Sequence, residues 1–514
     1  MTEMRVKNVA KNSFFSVFSQ IMIIIAGFFS QRVINLRLGK ELVGMNGVIS
    51  NVIGVFSVSE LGLSTVVVYH LYRALALDDK EQIASLMNLY RRAYYIISAV
   101  IGLLGILALP LILLPKSNRS FSTGFICLVY LLWLSRTIFG YLLSYKRSIL
   151  IADQREYLSS LATMAISVFN YLSVILIVEC TGNYPLALGG GIVFEMVVNF
   201  GLGIYADRQY PFLKDYRKKP VPKALIDKIF GDIRNIFVTR ISNKLLGSTD
   251  NLILYGFVDL ALVGLYGNYC LITQSINNIF QALSNALQPT MGHLAVEQDK
   301  ERDLKMLRVM SFLFFLIASV ALAGVAVVAT PFVTDLWLGE GHDLPKDTVW
   351  ICGLNLLLQI MAMPVTIFLN VSGLFHLEKR ISMTAAVGNL LVSFILVILI
   401  GINGVLLGTT CAYLIQVFGK IYYYFRAHLE MPPLKFGLSV LGFMAAAIFE
   451  ALLSGYLVNL FYTGGNLFLL LTGILVCVAV PCVLNLLIFG RTKIFRDLLE
   501  VVRSMLGGRT PESL

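Results

Sequence analysis

The chain has 514 residues, of which 57% are hydrophobic and only 14% are charged, and its formal net charge is +11. Soluble domains carry about a quarter charged residues, so this composition excludes a water-soluble globular protein and indicates a bundle embedded in a bilayer. The basic excess does not indicate nucleic-acid binding, because most basic residues fall in loops on one side of the predicted membrane. The seven cysteines are scattered without a CxxC pair, which predicts buried thiols and no disulfide framework or metal site.

Fourteen apolar stretches are long enough to cross a membrane as α-helices. The first follows a basic N-terminus and is not followed by a small-residue cleavage site, so we expect it to be retained as a span. The second and the eighth are rich in Ser, Asn and Gln, which predicts helices that line a wet cavity. In chain order the predicted spans are 13–36, 43–70, 92–114, 121–146, 157–179, 186–206, 234–257, 262–290, 308–332, 348–372, 381–400, 404–426, 436–460 and 466–489.

The basic residues between these spans predict the orientation of the chain. Loops and tails on the side of the N-terminus hold 32 Lys and Arg residues, whereas the opposite loops hold five. Because cytoplasmic loops are enriched in Lys and Arg, both termini are predicted to be cytoplasmic and the number of spans to be even.

An internal repeat divides the predicted spans into two halves. Val43-Gly44 recurs as Val263-Gly264, and Asp79-Lys80-Glu81 recurs as Asp299-Lys300-Glu301, both at a shift of 220 residues. Six spans separate equivalent points, so the halves are predicted to be parallel repeats. The expected organisation is a six-helix bundle at 1–207, a basic cytoplasmic linker at 208–233, a second six-helix bundle at 234–430, two extra spans at 431–490 and a cytoplasmic tail at 491–514.

Ionisable residues inside the predicted spans are the candidate functional groups. A charge at mid-bilayer costs about 2.5–3.5 kcal/mol on insertion scales, so it is expected to face a partner or water. Four basic residues predict a cationic, substrate-binding cavity suited to phosphate or pyrophosphate, although those nearest a span end could instead reach the interface. Two acidic residues are predicted to be coupling groups or charge partners. The basic set is Arg32, Arg136, Arg240 and Lys244, and the acidic set is Glu60 and Asp250; Glu195 and Glu450 also lie deep in their spans.

No motif of a soluble active site is present. The sequence has no GxxxxGK loop, no HExxH and no GxSxG, and its five histidines are dispersed. We therefore predict no catalytic residues, no cofactor and no metal.

Several short motifs resemble the polysaccharide-export branch of the MOP superfamily, which contains the Wzx-type flippases. They are ELGLS at 60–64, YHLYR at 69–73, the Asp79–Glu81 turn, LIADQ at 150–154, Tyr210-Pro211, STDNL at 248–252 and VGLY at 263–266. The resemblance covers most of residues 1–430.

This resemblance implies two six-helix bundles forming a V around a cationic cavity, in an all-α integral membrane protein. The substrate implied is a polyprenyl-pyrophosphate-linked oligosaccharide, moved across the bacterial cytoplasmic membrane by alternating access for surface polysaccharide biosynthesis. In layout a fourteen-span member is similar to the lipid II flippase, so residues 436–489 are expected to accommodate the undecaprenyl chain. Membrane lipid and polysaccharide-assembly proteins are the implied partners, and a monomer is the expected state.

Two other classes of function remain open at this stage. A MATE-like cation-coupled drug or metabolite antiporter would need an acidic cavity, and the basic excess within the spans counts against it. A membrane enzyme such as a polysaccharide polymerase or ligase would carry a large outer loop, whereas the longest predicted one has about fifteen residues (333–347).

Overall fold

The computed structural model of the chain describes residues 2–56, 77–113, 121–153, 155–215, 252–295, 299–462 and 467–506, and the single positions 67, 71, 74, 75, 226, 249 and 250. These residues form α-helices joined by short turns, and no strand occurs among them. The chain divides into two compact units, Met1–Gly264 and Leu265–Leu514.

Eight helices of the first unit have described bounds. Polar caps mark the start of two of them, because Ser122 and Asn183 accept hydrogen bonds from the backbone N–H groups of Phe125 and Leu186. The helices are α1 (Thr2–Leu38), α2 (Lys40–Phe56), α3 (Lys80–Leu113), α4 (Thr123–Ser144), α5 (Arg147–Ala152), α6 (Glu156–Thr181), α7 (Tyr184–Gln209) and α8 (Phe212–Asp215).

Helix α9 (Leu260–Ala295) begins in the first unit and continues into the second. The second unit is otherwise built from long helices, two of which contain π-helical turns. These turns lie at Gly324–Val328, Phe332–Trp337 and Phe425–Leu429. The remaining helices are α10 (Lys300–Trp337), α11 (Lys346–Val371), α12 (Phe375–Ile400), α13 (Ile402–Leu429), α14 (Leu434–Asn459), α15 (Leu467–Phe489) and α16 (Lys493–Leu506).

Eleven helices of the described part are long and apolar enough to cross a membrane. The prediction of an all-α, multi-pass membrane protein is therefore confirmed. The predicted spans 43–70 and 234–257 run into residues outside the described ranges. The predicted span 262–290 lies within α9. The Asn, Gln and Ser residues of α9 make it too polar to be one of the eleven apolar helices. Most of the predicted linker 208–233 also lies outside the described residues, so the predicted domain boundaries stay predictions.

The internal repeat is visible in the positions at which helices begin. Helices α2 and α9 start at Lys40 and Leu260, and α3 and α10 start at Lys80 and Lys300, so each pair is 220 residues apart. Equivalent aspartates precede the second pair: Asp79 accepts a hydrogen bond from the Gln82 N–H, and Asp299 accepts one from the Arg302 N–H. The repeated Asp-Lys-Glu motif thus begins a helix in both halves.

An aromatic layer holds the last helices of the second unit together. Phe315 of α10 stacks on Phe443 of α14 with ring centroids 4.8 Å apart, and Phe312 contacts Phe489 of α15 at 5.2 Å. Phe495 of α16 lies 6.3 Å from Phe312. Such aromatic pairs contribute about 0.5–1.5 kcal/mol each beyond the area they bury, so α14 and α15 are firmly packed on α10.

Candidate functional site

A polar stripe runs along one face of α7 in the first unit. Its members are four residues apart, which places them on the same side of a helix. The stripe consists of Glu195, Asn199, Gly203 and Asp207. Val193, Val197 and Phe200 on the same helix are each more than 60% exposed, as expected of side chains that face lipid. The helix therefore presents apolar residues to the membrane and a polar face to its neighbours.

The first contact of the stripe is an ion pair inside the membrane-spanning region. Arg136 Nε of α4 donates to Glu195 Oε2 at 2.9 Å, and both side chains are largely buried. The guanidinium also lies 5.8 Å from the ring centroid of Trp133, close enough for a cation–π interaction. Within the described part of the chain, no acceptor bonds the two terminal nitrogens of Arg136. The pair therefore orients the guanidinium while leaving its forked end available.

The next residue of the stripe, Asn199, binds a second guanidinium group, that of Arg147. Arg147 Nη2 donates to Asn199 Oδ1 at 2.5 Å, and Nη1 donates to Thr163 Oγ1 of α6 at 3.1 Å. Its buried Nε has no hydrogen-bond partner among the described residues. Burial lowers the pKa of Arg147, an effect that the nearby Glu195 carboxylate opposes. Because the partners of Arg147 are neutral, its charge is not cancelled locally.

The last residue of the stripe, Asp207, binds a third cation near the end of α7. Lys146 Nζ donates to Asp207 Oδ2 at 2.7 Å and to the Gly203 carbonyl at 3.4 Å. A Cβ on Gly203 would lie 3.8 Å from Nζ, an ordinary van der Waals distance, so the lysine side chain packs closely against this part of α7. This pair is neutral overall, so it fastens α7 to the chain between α4 and α5 without adding net charge.

A cavity of about 310 Å³ opens between these residues. Its described lining residues include two guanidinium groups and one carboxylate, which together sum to one positive charge. Trp133 and Tyr141 add aromatic surface beside the charges. The cavity is lined by Trp133, Arg136, Thr137, Gly140, Tyr141, Arg147, Glu195 and Asn199. Guanidinium groups bind phosphate and carboxylate through paired hydrogen bonds, so the arrangement suits an anionic group.

The residues predicted from the sequence are distributed unevenly over the structure. Arg136 lies in this cavity, whereas Arg32 of α1 is exposed on another helix and Asp250 is buried elsewhere in the first unit. Glu60, Arg240 and Lys244 lie outside the described residues. The cavity instead brings Arg136 together with Arg147 and Glu195, neither of which was assigned to the site from the sequence. The four-residue spacing from Glu195 to Asp207 is the signal that could have found the polar face.

The second unit holds another buried cation, near the end of the predicted span 404–426. Lys420 of α13 is 4% exposed, and its Nζ donates to Thr366 Oγ1 of α11 at 2.9 Å and to Gln416 Oε1 at 3.3 Å. Glu378 of α12 lies 3.9 Å away and supplies the opposite charge. Lys420 is buried because its ammonium group is covered by Thr366 of α11 and Glu378 of α12. The cluster ties three helices together and carries no net charge.

A larger cavity of about 1120 Å³ lies in the second unit beside the last helices. Its apolar wall comes from α14 and α15 and includes Phe436, Phe443 and Phe489. Its charged residues are of both signs: Arg302, Lys305, Arg308 and Lys493 against Asp299, Glu301 and Asp497. The cavity therefore combines an apolar wall with a charged rim, the combination that an amphipathic lipid requires.

Nothing in the described part of the chain indicates a metal centre, because no three His, Cys, Asp or Glu side chains lie together there. The seven cysteines are free thiols.

Comparison with known proteins was made at three levels. No protein-family model matches the sequence, and no curated protein matches it. Among solved structures, the lipid II flippase MurJ in an inward closed conformation matches with a TM-score of 0.69 at 15% identity, covering 95% of this chain and 99% of that one.

Transporters of the MATE and MOP groups also match. An inward-facing multidrug resistance MATE family transporter of the MOP superfamily has a TM-score of 0.64 at 13% identity, covering 81% of this chain and 99% of its own. A MOP superfamily transporter from Pyrococcus furiosus has a TM-score of 0.58 at 15% identity, covering 83% and 97%. At such identities the likeness establishes the fold, which is the multi-pass helical fold shared by MurJ and the MATE transporters.

Proposed function

We propose that the protein is a flippase of the MOP superfamily, in its Wzx-type polysaccharide-export branch. Its substrate would be an undecaprenyl-pyrophosphate-linked oligosaccharide repeat unit, moved across the bacterial cytoplasmic membrane for surface polysaccharide biosynthesis. The observation that carries the proposal is the cavity in which Arg136 and Arg147 lie together within a helical bundle, where Glu195 is the one carboxylate among the described lining residues. It is a transport function, so no catalytic residue is required.

The charges of the cavity favour a diphosphate over an organic cation. Glu195 holds Arg136 through Nε, so the terminal nitrogens can form the paired bonds that phosphate oxygens accept. Arg147 adds a second guanidinium whose Nε–H has no acceptor among the described residues. A charge-assisted hydrogen bond contributes about 1.5–3 kcal/mol, so two such guanidinium groups would bind a diphosphate strongly. Arg32, Arg240 and Lys244 are proposed to extend the cationic surface, and Glu60 and Asp250 to serve as coupling groups or charge partners.

The last two membrane helices support a lipid-linked substrate. The MurJ structure matches 95% of this chain, whereas the MATE structure matches 81%. Helices α14 and α15 also supply the apolar wall of the larger cavity. We infer that these helices accommodate the prenyl chain while the head group crosses through the bundle, by alternating exposure of the cationic site to the two faces of the membrane.

The remaining features of the proposal follow from the charge pattern of the loops. We propose that both termini are cytoplasmic, because basic residues are concentrated in the predicted loops on that side. We propose that the protein acts as a monomer that receives its substrate from membrane-bound enzymes of polysaccharide assembly.

The second candidate function is a MATE-like antiporter of drugs or metabolites. The TM-score of 0.64 to a multidrug transporter favours it, as does the carboxylate of Glu195 inside the bundle. An antiporter of cationic drugs would, however, have to place its substrate beside two guanidinium groups. Because the described lining of the cavity is net positive, we rank the antiporter second.

The test is made in a cell whose surface polysaccharide depends on this protein. Arg136→Gln and Arg147→Gln should reduce surface polysaccharide strongly, with the protein still present in the membrane by immunoblot. Arg37→Gln is the matched control, because Arg37 pairs with Glu179 at an exposed helix end. Normal polysaccharide in both cavity variants would overturn the assignment. Export of a cationic dye that depends on the protein and survives both substitutions would favour the antiporter.

A further inference from the structure

A buried polar cluster in the second unit has no role in the cationic cavity. Glu450 of α14 is fully buried, and Asn485 of α15 donates from Nδ2 to Glu450 Oε2 at 3.2 Å. The same Nδ2 lies 3.4 Å from Ser319 Oγ of α10. Three membrane helices therefore meet at one carboxyl group.

The cluster contains more hydrogen-bond acceptors than donors. Glu450 Oε1 and Asn485 Oδ1 are both buried, and neither has a hydrogen-bond partner among the described residues. The Ser319 hydroxyl is within reach of both the Glu450 carboxyl group and the Leu316 carbonyl, the latter at 3.1 Å, and its single hydrogen can serve one of them at a time. A buried polar atom without a partner costs about 1–3 kcal/mol, so two such oxygens in one cluster indicate a missing donor.

The described helices that meet at Glu450 offer no nearby cation to balance an ionised carboxylate. No Lys, Arg or His occurs at 309–341 or at 436–490. On α10 the nearest ionisable groups are Arg308 and Asp335, and α14 contributes Lys435 at its start and the exposed Tyr456. On α15 only the thiols Cys477 and Cys482 can ionise. An ionised carboxylate without a paired cation is costly in an apolar interior, so the neutral form is strongly favoured.

We propose that Glu450 is an exchangeable proton-binding site of the C-terminal helix pair, with Asn485 and Ser319 as its positioning residues. A proton on the carboxyl supplies the donor that the cluster lacks, and it removes the uncompensated charge from the contact of α14 and α15 with α10. Few oxygen atoms converge here, so a proton fits the cluster better than a metal cation does. Release of the proton would place a negative charge between the three helices and weaken their packing. This proposal does not depend on the identity of the transported substrate.

Infrared difference spectroscopy of the full chain in lipid nanodiscs tests the proton directly. The wild type should show the carbonyl stretch of a protonated carboxyl group at neutral pH, and Glu450→Gln should remove it. Asn485→Ala should keep the band but shift its frequency, because the carboxyl group loses a hydrogen bond. Glu430→Gln is the control, because Glu430 is an exposed carboxylate paired with Lys300 and should leave the band unchanged.

Exchange is tested by titration between about pH 5 and about pH 9, a range that lies above the ordinary glutamate pKa of about 4.3. The band should diminish as pH rises, and the melting temperature of the wild type should fall with it. Folding favours the protonated group, so stability is lost when the proton leaves. Glu450→Gln should remove this part of the pH dependence. A band absent at every pH, insensitive to the Glu450 substitution or constant over the whole range would overturn the proposal, as would its loss on adding sodium chloride at fixed pH.

Discussion

Gly44 and Gly264, which the internal repeat makes equivalent, lie directly against each other where α2 and α9 cross. A Cβ atom on Gly44 would collide with the Leu260 carbonyl oxygen, and one on Gly264 would collide with the Lys40 carbonyl oxygen. The contact is reciprocal, because Lys40 and Leu260 are also 220 residues apart. Each helix thus meets the other through the same backbone atoms, and only glycine permits so close an approach.

Alanine at either glycine should destabilise the protein. The obstructing atoms belong to the backbone and cannot turn aside, so we expect a loss of about 1–3 kcal/mol from overpacking. Thermal unfolding in detergent measures it. Gly201→Ala is the matched control, since a Cβ on Gly201 meets nothing within 4 Å. Equal melting temperatures for all three variants would contradict the close contact.

Separate substitutions at Arg136 and Glu195 should have different effects on stability and on binding. Either single change to Gln should lower stability by about 2 kcal/mol, because each leaves a charged partner unpaired. The double variant should lose less than the sum. Affinity for a short-chain prenyl pyrophosphate should fall for Arg136→Gln but persist for Glu195→Gln, as titration calorimetry would show. Equal loss of binding in both variants would assign the pair a structural role only.

Arg147→Lys should weaken binding of the same ligand although the charge is retained. An ammonium group cannot reach Thr163 and Asn199 with the planar fork that Arg147 uses. We expect an affinity loss of about tenfold, equivalent to about 1.4 kcal/mol. Asn199→Asp should be more damaging, because the added carboxylate cancels the net charge of the cavity. Unchanged affinity in Asn199→Asp would exclude an electrostatic role for this cavity.

Lys420→Met should destabilise the second unit. Glu378 would be left buried without its counter-charge, a loss of about 3–5 kcal/mol when a buried pair is broken. Adding Glu378→Gln should recover much of the loss, since the remaining side chain is neutral. Lys435→Met, at an exposed position, is the control. Chemical unfolding monitored by tryptophan fluorescence should rank the stability of the wild type, Lys420→Met, the double variant and Lys435→Met.

The spans were predictable because a bilayer requires long apolar helices, a requirement visible in composition alone. The pairing of the charged residues inside these spans was not predictable from the sequence. Arg136 and Glu195 were both recognisable as deep ionisable residues, yet 59 positions separate them, and only packing of α4 on α7 brings them together. Their contact depends on tertiary structure that local sequence does not encode.

Two further cations were misplaced for a related reason. Arg147 and Lys420 were counted with the loops, because each lies near the end of an apolar stretch. In the structure Arg147 forms part of the cavity lining, and Lys420 is buried against Thr366 and Glu378 of neighbouring helices. Helix ends are poorly marked in sequence, so a charge near an end can lie in water or inside the bundle.

The pairing of Arg136 with Glu195 also bears on how the chain is inserted during synthesis. Helix α4 leaves the ribosome before α7, so for a time Arg136 has no counter-charge. Partition of α4 into lipid is then opposed by about 2.5–3.5 kcal/mol. We expect α4 to stay beside the insertion machinery until α7 arrives, and then to enter the bilayer with it. The arginine proposed to bind an anion in the finished protein would thus delay the release of its own helix during biogenesis.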